Sequence, residues 1–142
     1  MRTLERLFIF TFWIIIAISL YWYLYPYNII EFQDAQFPVE KTVVYQGEEI
    51  SYTSRYCKYM DLSAVVTRSY IDTLIYTMPS TVTKRMMGCH NMVFSTVIPN
   101  KLPAGKYYIH MVYKYDVNPI RTIIVEHDSE SFEVKEATPS AR

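Results

Sequence analysis

Hydrophobic and polar positions follow two different rules along this chain. From Leu7 to Ile30 no side chain is charged, and the run shows no two-residue alternation. A helix through Leu7 to Tyr25 would rise about 28 Å at ~1.5 Å per residue, close to the ~30 Å hydrocarbon thickness of a bilayer. From Thr42 onward the rule changes to short stretches in which apolar and polar residues alternate, interrupted by turn signals. The pattern predicts one membrane-spanning helix over residues 7–27 and an all-β domain over residues 39–135. Residues 1–6 then form a cytoplasmic tail, residues 28–38 a neck bracketed by Pro26 and Pro38, and residues 136–142 a frayed tail.

The strands are predicted from alternation. Thr42 to Tyr45 opens the series, and Gln46-Gly47 turns the chain into Ile50 to Tyr59, where Ile50, Tyr52, Ser54 and Tyr56 share one face. Ala64 to Ile71 and Leu74 to Met78 follow, the latter stopped by Pro79, and residues 80–88 read as a loop or edge segment. Met92, Phe94, Thr96 and Ile98 alternate with Val93, Ser95 and Val97. Gly105 to Asp116 alternates most cleanly, with Tyr107, Ile109, Met111 and Tyr113 as the core set. Val117-Asn118-Pro119 makes a hairpin loop into Ile120 to Glu126, and residues 132–134 complete the last strand after a polar kink.

Flanking residues orient the apolar run. Arg2 and Arg6 precede it and no Lys or Arg follows until Lys41, so the positive-inside rule keeps the N-terminus in the cytoplasm and exports the domain. The bulky cluster Tyr21, Trp22, Tyr23 and Tyr25 suits a membrane-interface belt and not a cleavage site, so the segment is expected to stay as a signal anchor. The span carries no small-xxx-small pair for helix pairing. None of the four asparagines stands in an Asn-x-Ser/Thr acceptor, which points to a bacterium or phage. The expected location is the inner membrane, single-pass, with the domain periplasmic or extracellular.

Composition narrows the function classes. Fourteen cationic residues balance fourteen anionic ones, and no basic cluster is dense enough to track phosphates, so nucleic acid is not an expected partner. Tyrosine stands out at 14 residues against three glycines, a balance suited to pleated strands. No nucleophile-base set, paired carboxylates or phosphate-cradling loop is visible, so no enzyme is expected and no catalytic residue is assigned.

Candidate chemistry is sparse. Cys57 and Cys89 are the only cysteines, and export favours a disulfide, closing a loop of roughly 30 residues for ~3 kcal/mol in the chain-entropy model. Met86 to Met92 mixes thiolate, imidazole and thioether, so Cys89, His90 and Met92 form an alternative copper site, provided Cys89 is free. Otherwise no cofactor is expected. Tyr108, Tyr115 and His110 are candidates for an interaction surface, since tyrosine offers rigid contact area at small entropic cost.

One local motif carries a resemblance. Leu102-Pro103-Ala104-Gly105-Lys106-Tyr107, just before the longest alternating strand, resembles the tyrosine corner of immunoglobulin and fibronectin type III domains, carried by Leu102, Gly105 and Tyr107. The resemblance implies a Greek-key β-sandwich of about seven strands in which the Tyr107 hydroxyl ties the loop to upstream backbone. It implies no activity. The layout as a whole resembles small membrane-anchored envelope proteins of bacteria and phages. The expected function is a non-enzymatic binding or assembly module whose partners are the lipid bilayer and another membrane or envelope protein. Copper handling and a glycan-binding or hydrolase accessory role are the alternatives.

Overall fold

The structure is a computed structural model that describes residues 2–25 and 28–136. Tyr27, the expected end of the span, and residues 137–142 of the expected tail lie outside the described residues. A single helix, α1 (Arg2–Leu24), is followed by eleven strands: β1 (Ile30–Phe32), β2 (Gln36–Phe37), β3 (Val43–Tyr45), β4 (Glu49–Lys58), β5 (Ala64–Ile71), β6 (Ile75–Thr77), β7 (Thr81–Thr83), β8 (Gly88–Val97), β9 (Gly105–Asn118), β10 (Arg121–Ser129) and β11 (Phe132–Lys135).

The helix begins earlier than the uncharged run and takes in residues 2–6. It is long and apolar enough to cross a membrane, and none of its apolar window is buried against the rest of the chain. Leu7, Phe8, Phe10, Trp13 and Ile15 are all more than half exposed. Among the described residues nothing covers the apolar window of this helix.

The strands form two sheets that share one core. The small sheet has the order β1-β4-β8, all antiparallel. In the large sheet β9 pairs with β10 and β11 along one side and with β5 on the other, and β5 carries the short β6 and β7. β2 and β3 add parallel to β10 and β11. The core takes the predicted faces: Ile50, Tyr52 and Tyr56 from β4 and Tyr107, Ile109, Met111 and Tyr113 from β9 are all buried.

Two expectations are corrected here. Residues 28–38 are not a neck outside the domain, because Ile29, Ile30 and Phe37 are buried and the segment supplies β1 to one sheet and β2 to the other. The strand count exceeds seven because this segment and the linkers around Pro79 each contribute short strands.

Candidate functional site: the open edge of the small sheet

β8 lies at the end of its sheet, paired with β4 over its whole length from Gly88 opposite Lys58 to Val97 opposite Glu49. Gly88 takes a positive φ of 92°, which turns the chain into the strand without a Cβ in the way. Its second edge pairs with no strand among the described residues. His90, Met92, Phe94 and Thr96 point inward and are half-buried, whereas Cys89, Asn91, Val93, Ser95 and Val97 are exposed. No residue from Gly88 to Val97 is charged. Sheet edges are ordinarily blunted by charge, proline, bulges or shortness, since unpaired N–H and C=O groups template another strand. The edge strands of the large sheet use shortness, with two or three residues in β2, β3, β6 and β7. β8, at ten residues, uses none of these devices.

Arg85, from the link between β7 and β8, lies between the sheets among rings from β1, β4, β8 and β9. Its side chain is buried, and the guanidinium carbon lies 4.3 Å from the ring centre of Phe94, 4.7 Å from Tyr56, 5.1 Å from Tyr113 and 5.8 Å from Phe32. Nη2 donates to the Tyr113 hydroxyl at 2.7 Å and Nη1 to Ser54 Oγ at 3.3 Å. Among the described residues it has no ion pair, so its charge is met by ring faces and hydroxyls. Lys58, also buried, fastens the same link by donating to the carbonyls of Arg85 at 2.8 Å and Leu62 at 2.6 Å. Burial pushes the Lys58 ammonium below its ordinary pKa. Neither residue could be singled out from sequence, because each needs partners from distant strands.

The residues singled out in the sequence are dispersed. Cys57 and Cys89 face each other across β4 and β8 and are joined in a disulfide. The Cys89 sulfur is therefore engaged, His90 Nε2 donates to the Met87 carbonyl at 2.7 Å, and Met92 Sδ accepts from the Tyr56 hydroxyl at 3.4 Å. Tyr115 is not an exposed contact: it is buried on the inward face of β9 with Tyr113, and burial pushes its hydroxyl pKa up to about 12. Alternation from Tyr107 places it there. Tyr108 and His110 are half-buried on the outer face, and His110 Nδ1 donates to Asp128 on β10 at 2.6 Å.

Leu102 and Tyr107 are both buried, but the Tyr107 hydroxyl makes no hydrogen bond among the described residues. The loop is tied upstream by Gln46, whose Nε2 donates to the Leu102 carbonyl at 2.7 Å. Gly105 sits where an added Cβ would come within 3.1 Å of Asp72 Oδ2 and 3.2 Å of the Tyr107 ring, a tight approach that favours glycine. The belt residues Tyr21, Trp22, Tyr23 and Tyr25 occupy the last turn of α1 and the residue after it, all exposed, with Tyr21 and Tyr25 stacked at 5.4 Å.

No family model and no curated protein sequence matches the chain. Among solved structures it is similar to the alkylpurine DNA glycosylase AlkC of Pseudomonas fluorescens bound to DNA containing an abasic site analog, at 12% identity and a TM-score of 0.48. That similarity covers 76% of this chain and 31% of the glycosylase, and it carries no argument about activity.

Proposed function

We propose that the protein is a single-pass membrane protein whose exported β domain is a non-enzymatic binding or assembly module, docking an extended polypeptide segment along β8. The observation that carries this reading is the long, uncharged edge of β8, which no strand among the described residues pairs. An added strand would satisfy that edge by ladder hydrogen bonds, with alternate side chains setting specificity. The occupant's own side chains near Val93 and Val97 are uncharged in this account, because those valines are exposed and apolar.

The anchor reading is supported by an apolar helix with no covering partner. Arg2 and Arg6 before it favour a cytoplasmic N-terminus and a periplasmic domain in the inner membrane of a bacterium, or of the host of a phage. An immunoglobulin-like sandwich is supported by the separation of β4 and β8 from β5, β9 and β10 into two sheets, and by the parallel pairing of β3 with the last strand. Confinement to the bilayer raises the domain's effective concentration near a membrane or envelope partner.

The test places a photo-crosslinking amino acid at Val93, and at Ile124 on the large sheet as control, in cells making the full chain. Crosslinking to another polypeptide at Val93, lost when Ser95→Pro breaks the ladder, is the expected result. Equal crosslinking at Ile124, or none at Val93, overturns the docking edge. A C-terminal reporter active only outside the cytoplasm tests the orientation separately.

A further inference from the structure

Strand register gathers several loops at the end of the domain nearest α1. Asn118 Nδ2 donates to the Trp22 carbonyl and Arg121 Nη1 to the Tyr23 carbonyl, both at 2.8 Å, so the β9–β10 hairpin caps the last turn of α1. The amide of Tyr59 donates to the Ile29 carbonyl at 2.8 Å, which brings the end of β4 to the same level. Pairing of Lys58 with Gly88 and of Ala64 with Thr83 adds the β7–β8 link and the β4–β5 loop. This end exposes apolar side chains among its charges. Ile120 is 62% exposed, Met86 57%, Met87 52% and Tyr59 51%. Lys84 and Arg121 stand among them, Lys84 paired with Asp61 at 2.9 Å.

We infer that this end of the domain is a lipid-contact surface, with Ile120, Met86 and Met87 entering the boundary between headgroups and acyl chains, and with Arg121 and Tyr59, whose hydroxyl donates to Glu31 at 3.0 Å, lying at headgroup level. The inference rests on α1 spanning the bilayer, and it goes beyond that reading because an anchor alone would let the domain float free on its chain. Three observations point to lipid as the occupant. Met60 and Val117 line a groove with Tyr21, Trp22 and Tyr25 at this end, the hairpin holds that turn by its carbonyls, and Arg121, in no ion pair among the described residues, is left to face anionic headgroups. Held this way, the domain keeps a fixed height and tilt, so the open edge of β8 is presented at a constant distance from the membrane.

The test uses full-length protein in vesicles of phosphatidylethanolamine and phosphatidylglycerol, with and without bromine on the upper acyl chain. The two native tryptophans report the span. In a Trp13→Phe, Trp22→Phe background, Ile120→Trp and Met87→Trp report the near end and Leu74→Trp, 70% exposed in the wild type, the far end. The expected result is loss of about half the emission or more at Ile120→Trp and Met87→Trp, with Leu74→Trp unaffected. The second near-end variant serves if the first does not fold. Quenched native tryptophans with near-end probes no more quenched than Leu74→Trp overturn the lipid contact and leave the anchor standing. Unquenched native tryptophans overturn both.

Discussion

The two long sides of the domain are finished by different means. On one side the backbone itself crosses between sheets: β1 pairs with β4, β2 pairs with β10 a few residues later, and Val39 bridges to Tyr52. Asp34 in the crossover accepts from Arg55 Nε at 2.9 Å and from its Nη2, while His127 stacks on Phe32 at 4.1 Å and lies 5.3 Å from Phe37. On the other side no strand among the described residues crosses, and the Arg85 side chain lies between the sheets among the rings of Phe94, Tyr56, Tyr113 and Phe32. A crossing backbone both fills space and pairs the edge. A crossing side chain fills space alone, so the β8 ladder stays open.

The largest effect expected from breaking this contrast is on the closed side. Phe37→Ala removes a fully buried ring from the crossover and should cost about 3–5 kcal/mol, read by urea or thermal unfolding. The disulfide is next, since Cys57 and Cys89 are 32 residues apart and replacing both by alanine should cost about 3–4 kcal/mol in the chain-entropy model. Its loss should loosen β8 against β4 before the large sheet is affected, which exchange rates would resolve.

Arg85 sharpens the comparison. Arg85→Ala should cost about 2 kcal/mol through lost ring contacts alone, whereas Arg85→Met keeps most of the volume and removes a desolvated charge, so its cost should stay under about 1.5 kcal/mol. A larger loss for the methionine variant would show that the cation, and not the volume, seals this side. His127 tests the closed side by pH. Burial lowers its folded pKa below the ordinary 6.5, although its Nε2 donates to the Asp34 carbonyl at 2.9 Å. The unfolded chain therefore takes up the proton first, and the stability this neutral histidine contributes is full above pH 6.5 and lost as pH falls from there towards the folded value. His127→Phe should flatten that acid limb in pH-dependent unfolding. The smallest stability effect is on the open edge, where Val93→Lys should change unfolding by less than about 0.5 kcal/mol yet abolish docking.

The sequence carried the regular parts of this picture because they repeat. Alternation in Ile50 to Tyr56 and in Tyr107 to Tyr113 marks the inner faces directly, and the uncharged run marks the helix. Where the fold departs from repetition it was hidden. Phe32 and Phe37 lie in a stretch with no period, so their burial depends on β4 and β10 arriving from elsewhere. Arg85 reads as an ordinary cation in a polar-apolar mixture, and only the rings of Phe94, Tyr56, Tyr113 and Phe32, brought from four strands, make it interior. The openness of β8 is a property of strand order, which no local pattern encodes. Its missing charges were visible, but their meaning depends on its lying at an edge.

If β8 is the docking edge proposed above, its free side is open in the isolated protein and occupied in the membrane. Amide hydrogen exchange of the full chain, purified and in its native membranes, measures this directly. The account predicts that in the purified protein alternate amides of β8 exchange rapidly while those of β4 are protected, and that the rapid set slows in native membranes. Alternate amides of β8 protected as fully as β4 in the purified protein, or unchanged between the two preparations, would contradict it.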